Sequence, residues 1–154
     1  MIQHNILFVC IHNSARSQMA EAFLNHYDGQ CLIAESAGLE AGKLNPYAVK
    51  VMQEVGIDIS QKGTQEIFDL FRAGRLFQAV ITVCDEGSAE GCPVFPGVVR
   101  RLGWSFPDPS TFTGTEEEKL EQTRQVRDQV KDAVLTFIDE AKHMEYWAKQ
   151  KVNA

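Results

Sequence analysis

Apolar and polar residues fall in blocks of alternating period along this chain. NILFVC, residues 5–10, is continuously apolar from Ile6 to Val9 and then meets Cys10, the pattern of a strand buried on both faces. RSQMAEAFLNHY follows, with Met19, Ala20, Phe23, Leu24 and Tyr27 at helical spacing. CLIAESAG predicts a second strand that runs into a glycine turn. NPYAVKVMQEVG predicts a helix with Pro46 near its start and Gly56 at its end. TQEIFDLFRAG predicts a short helix, and QAVITVC, residues 78–84, a third buried strand. A loop rich in Gly and Pro comes next, DEGSAEGCPVFPG, and then VVRRLGW as a short fourth strand. A long helix is expected from Thr115 to about Lys149, with Thr115 as N-cap and acidic residues in the first turn.

Strands alternating with helices imply a parallel sheet covered on both faces. The length, 154 residues, suits one domain over residues 1–154. Right-handed crossovers in so short a chain favour a four-stranded, doubly wound α/β fold. Ligands of such sheets bind beyond the carboxyl ends of the strands. Cys10 and Cys84 each fall at such an end.

Charge and composition narrow the function. The net charge of −6 argues against a nucleic-acid or anionic-membrane partner. No apolar run approaches the roughly 18 residues of a membrane span, and the first ten residues lack a signal-peptide pattern. A cytoplasmic protein is expected. The four cysteines are Cys10, Cys31, Cys84 and Cys92, and no two are separated by the two-residue gap of zinc ligands. No structural metal is expected, and nucleophilic or redox use of the thiols is favoured.

CIHNSARS lies between the first strand and the first helix. The opening amides of a helix have no intrahelical partners and sit at the positive end of its dipole, so they form an anion cradle. Ile11, His12, Asn13, Ser14, Ala15, Arg16 and Ser17 make up this loop. Arg16 adds a planar fork suited to a tetrahedral oxyanion, and the same field favours a thiolate at Cys10. A nucleophile at the base of an anion loop implies attack on the central atom of the oxyanion. The loop lacks the glycines and lysine of a nucleotide P-loop. Asn13 and Ser17 suit thiolate stabilisation and loop shaping. His12 reads as an exposed loop residue, and His4, His26 and His143 have no partner visible in the sequence.

Cys84 ends a strand expected beside the first, and neighbouring strands lie about 5 Å apart, within disulfide reach. Cys92 follows in a loop that Gly87 and Gly91 make adaptable. One reading is a relay of thiol–disulfide exchanges from Cys10 to Cys84 to Cys92. The plainer reading makes Cys84 a small buried residue and Cys92 incidental. Cys31 reads as structural. In WSFPDPS, Asp108 stands between two prolines. It is either a carboxylic acid aimed at a leaving oxygen or a turn residue.

Taken together, FVCIHNSARSQMAEAF, ESAG, VCDEGSAEGCPVFPG, WSFPDPS and GTEEEKLEQTRQVRD resemble the thioredoxin-coupled arsenate reductases, over residues 5 to about 140. That family shares the fold of the low-molecular-weight protein tyrosine phosphatases, a flavodoxin-like four-stranded parallel sheet. The resemblance implies that Cys10 attacks arsenate, Arg16 binds it and Asp108 serves as acid. It implies that Cys84 then attacks the arsenylated thiol to release arsenite. Cys92 takes over the disulfide and presents it to thioredoxin. No tightly bound cofactor is implied. Some members bind potassium near the loop, and Asn13, Glu21 and Ser36 resemble that site. Gln65, in SQKGTQE, stands where an aspartate is expected and weakens that match. Gln18–Met19 after Arg16–Ser17, and Ser110 after Asp108–Pro109, separate the chain from the phosphatases, which usually carry Pro and an aromatic there. Two alternatives remain beside the reductase: a phosphatase of the same fold, and a thiol redox sensor built on Cys84 and Cys92.

Overall fold

A computed structural model describes residues 3–84 and 95–148 of the chain. Four strands, β1 (His4–Cys10), β2 (Leu32–Gly38), β3 (Ala79–Thr82) and β4 (Arg100–Gly103), form one sheet. Their order is β2-β1-β3-β4 and every pairing is parallel. The helices are α1 (Arg16–Tyr27), α2 (Pro46–Glu54), α3 (Ile67–Arg72) and α4 (Glu116–Ala141), with short 3-10 turns at Pro109–Thr111 and Met144–Trp147. The expected α/β architecture is the observed one.

The apolar run of β1 serves two cores, because successive side chains of a strand point to opposite faces. Ile6, Phe8 and Cys10 join Met19, Phe23, Met52, Val130 and Phe137, contributed by α1, α2 and α4. Leu7 and Val9 join Ala37, Ile67, Leu70, Phe77, Val80 and Phe95 on the other face. Phe8 and Phe23 are fully buried, each stabilising the fold by roughly 1.5–3 kcal/mol. Strand β4 is an edge strand with alternating exposure, and its arginines discourage pairing with another chain.

Thr115 caps its helix as expected, and Asn45 supplies a cap that the sequence reading had not named. The Asn45 side chain accepts hydrogen bonds from the amides of Tyr47 and Ala48 ahead of Pro46. Thr115 and Glu118 form a reciprocal capping box at the start of α4. The helix stops at Ala141, well short of the expected Lys149. The chain instead turns back through Met144–Trp147 and lays Trp147 flat on His4, with ring centroids 4.0 Å apart. Arg100 stacks over the Tyr146 ring and donates to the Tyr146 carbonyl at 2.8 Å. Covering these aromatics at the amino end of the sheet outweighs further helix, and it provides His4 with the partner that the sequence did not reveal. No described helix is long and apolar enough to cross a membrane.

Strand β1 has β2 on one side and β3 on the other, so the chain changes direction across the sheet at β1 and β3. Ligand crevices of open parallel sheets form beyond the carboxyl ends at such a switch. Cys10 is the last residue of β1, and Cys84 lies two residues past the end of β3.

Candidate active site

The loop after β1 is held from outside. Leu39, Glu40, Gly42 and Asn45 donate their amides to the carbonyls of Cys10, Ile11, His12 and Ser14 at 2.9–3.1 Å. Those carbonyls therefore face the 39–45 segment, which leaves the loop amides for the interior. This approach requires Gly38, where a Cβ would lie 2.6 Å from the Asn13 nitrogen and the Glu40 oxygen. Ala15 gives α1 no side-chain cap, so the first turn of that helix keeps amides available for an anion. The result is a cavity of about 260 Å³ lined by Cys10, Ser14, Ala15, Arg16, Lys43, Asp108 and Ser110, among others.

Cys10 lies at the floor, 3 % exposed. Its Sγ is 2.9 Å from the Ser17 hydroxyl and accepts the Asn13 amide at 3.2 Å. Its pKa is held down to about 5: a hydrogen bond from the Cys84 thiol contributes most, the Ser17 hydroxyl and the Ser17 and Ser14 amides add to it, and burial opposes them. The sequence had credited helix amides and Arg16; the neighbouring thiol is the larger cause. Cys84 is buried, and its Sγ lies 3.7 Å from the Val9 carbonyl.

Arg16 is 4 % exposed. Its Nη1 donates to the Phe106 carbonyl at 3.1 Å, and its Nη2 is 3.6 Å from Asp108 Oδ2. The other oxygen of Asp108 accepts from the Ser110 amide and hydroxyl at 2.9 and 2.8 Å. One oxygen of Asp108 thus makes the turn, and the other faces Arg16 at the wall of the pocket. His12 is exposed, with Nδ1 3.5 Å from Glu40. Cys92, Gly87, Gly91, Pro93 and Val94 lie outside the described residues.

Behind the thiol runs a buried polar chain. Asn13 is fully buried and sits at φ 54°, in the left-handed region that asparagine tolerates. Its Oδ1 accepts the Gln65 backbone amide at 3.0 Å and Gln18 Nε2 at 3.1 Å. A backbone amide only donates, so this contact fixes which end of the Asn13 side chain is oxygen. Nδ2 then donates to the Ser17 and Ser36 hydroxyls, both at 2.9 Å. Ser36 donates to Glu21 at 3.1 Å, and Glu21 is ion-paired with Lys62. Burial pushes the Lys62 ammonium down to about 8, which leaves it charged at neutral pH. Of this chain the sequence indicated Asn13, Ser17, Glu21 and Ser36. The parts played by Gln18, Lys62, Gln65 and the 39–45 segment were missed. Gly38 at the end of a strand was a usable signal; Lys62 and Gln65 stand in an aperiodic polar stretch that offered none.

The model of the low molecular weight phosphotyrosine protein phosphatase family matches residues 5–146. The chain belongs to that family. Among relatives, an arsenate reductase of Bacillus subtilis is 43 % identical over 89 % of this chain and 96 % of its own length. Among solved structures of the family fold, an arsenate reductase in the phosphate binding state superposes with a TM-score of 0.73 at 33 % identity, covering 90 % of this chain and 98 % of that one. A thioredoxin-dependent arsenate reductase of Corynebacterium glutamicum superposes with a TM-score of 0.58 at 26 % identity, over 88 % of this chain and 64 % of that one. The sequence resemblance to this family is therefore correct.

Proposed function

We propose that this chain is an arsenate reductase in which Cys10 is the nucleophile, Cys84 resolves the arsenylated enzyme and Cys92 receives the disulfide. Thioredoxin is the donor that restores the thiols. The observation that carries the reading is the second thiol: Cys84 hydrogen-bonds a depressed-pKa Cys10 at the floor of the anion pocket. Hydrolysis of a phosphate ester needs only the first thiol. Among the described residues no Phe, Tyr or Trp lines the pocket, which suits a bare oxyanion better than a phosphorylated tyrosine.

The chemistry then runs in balanced steps. Loop amides and Arg16 hold arsenate, and the Cys10 thiolate forms a sulfur–arsenic bond. The departing oxygen leaves as water, with a proton from Asp108. The Cys84 thiolate attacks Cys10 Sγ. The sulfur–arsenic electron pair passes to arsenic, which leaves as arsenite, and the two sulfurs form a disulfide. Cys92 attacks Cys84 and frees the Cys10 thiolate. An external dithiol supplies the two electrons that reopen the Cys84–Cys92 disulfide. Thiols that must be regenerated in this way suit a cytoplasmic protein.

The test combines purified protein, thioredoxin, thioredoxin reductase and NADPH. Arsenate-dependent NADPH oxidation is expected. Aryl phosphate hydrolysis without it would make the chain a phosphatase. Absence of both activities would leave the thiol sensor.

A further inference from the structure

The cation site that the family resemblance points to, Asn13, Glu21 and Ser36, does not fit a potassium ion in this chain. A bound cation needs several oxygen acceptors aimed at one point. Here they are taken by donors. Asn13 Oδ1 accepts from Gln65 and Gln18. The Ser36 carbonyl accepts Gln65 Nε2 at 2.9 Å. The Ser36 hydroxyl accepts Asn13 Nδ2, and Glu21 carries both Ser36 and the Lys62 ammonium. Gln65 donates at the position where an aspartate would have accepted.

We propose that the Lys62 ammonium is the resident monovalent cation of this site, supplied by the chain itself, and that it positions the hydrogen-bond chain leading to Cys10. The direction of every proton in that chain supports this. Asn13 Nδ2 gives one hydrogen to each serine. Each serine has a single proton left: Ser17 directs its proton to the Cys10 sulfur, and Ser36 directs its proton to Glu21. The chain therefore runs between two acceptors, the Cys10 sulfur and the Glu21 carboxylate that is ion-paired with Lys62. The Glu21 side chain is only 15 % exposed and that of Lys62 only 25 %. An anion so shielded needs a counter-charge beside it. Lys62 is a positioning residue: it touches neither pocket nor sulfur, and it acts through Glu21, Ser36, Asn13 and Ser17.

The inference builds on the reading of Cys10 as nucleophile, but its test does not use turnover, so either can fail without the other. Thermal midpoints and thiolate absorbance at pH 6 are compared in potassium chloride and in choline chloride of equal ionic strength. The wild-type chain should behave identically in both salts. Lys62→Gln should lose about 5 °C or more, together with part of the thiolate signal. It should do so in both salts, because Gln65, Gln18 and Asn13 still fill the acceptors that an external cation would need. Lys62→Arg, which keeps the charge, should retain both. A potassium-selective gain in the wild-type chain would overturn the proposal. So would a Lys62→Gln chain indifferent to its lost ammonium, or a Lys62→Arg chain as impaired as Lys62→Gln.

Discussion

Two polar networks in this molecule use similar residues to opposite ends. Behind Cys10, the chain Ser17–Asn13–Ser36–Glu21–Lys62 is mostly buried, and each donor has one place to go. On the flank, Arg124 grips Glu54 with Nε and Nη2 at 2.9–3.1 Å and also reaches Glu117 and Glu121. Arg127 adds a contact to Glu54 at 2.9 Å and another to the Val51 carbonyl. This second network ties α4 to α2, and its carboxylates are substantially exposed, Glu54 at 39 % and Glu117 at 75 %. Water can replace the exposed carboxylates there, so many short contacts amount to little. At Asn13, Ser17 and Ser36, all at most 2 % exposed, water cannot substitute, and one lost partner strands several groups. The number of hydrogen bonds is thus a poor guide to consequence, and burial is a better one.

The strongest way to test this contrast is at its reactive end. Cys10→Ser should abolish arsenate turnover. Cys84→Ser should release no arsenite even in a single turnover, because the thiol that resolves Cys10 is gone. Cys92→Ser should release one equivalent and stop as a Cys10–Cys84 disulfide, which peptide mapping after an alkylating quench would detect. Disulfide formation at Cys31 instead would refute the relay.

The next largest effect should come from Asn13→Ala. It strands Ser17, Ser36, Gln18 and the Gln65 amide together, in a fully buried place. With unmet buried groups costing about 1–3 kcal/mol each, a loss of roughly 3 kcal/mol or more is expected in urea unfolding. A loss below about 1 kcal/mol would mean that the buried chain behaves like the exposed one.

A smaller, finer effect lies in pH. A pKa lowered to about 5 means the Cys10 proton leaves early in an alkaline titration. Thiolate absorbance should therefore hold from alkaline pH down through neutrality and fall only as pH drops through about 5. Cys84→Ala removes the largest cause and should move the midpoint upward. A wild-type midpoint near that of an ordinary thiol, about 8.5, would contradict the geometry.

The smallest effect belongs to the flank. Glu54→Gln should lower the Tm by no more than about 3 °C, and less as salt is added. A larger loss that persists in high salt would show that the α2–α4 clamp acts as a buried network.

Much of this molecule is legible in the chain itself. A continuous apolar strand, an amphipathic helix and Cys10 with Arg16 between them specify a parallel sheet with an anion loop, since strand and helix periods are local and covalent spacing fixes which groups flank the loop. Thr115 announces its helix because a cap is a contact over three residues, and Pro46 does so because its ring fixes the first helical φ. What tertiary structure alone decided are the long-range contacts. Cys84 comes to Cys10 from 74 positions away through the pairing of β1 with β3 and lowers its pKa more than the local amides do. The 39–45 segment turns the loop carbonyls outward, and Lys62 reaches Glu21 from an aperiodic stretch. Helix α4 ends at Ala141 because Trp147 finds His4. Local pattern reports which backbone a segment favours. Which polar group meets which is settled only when packing excludes water and leaves each donor a single partner.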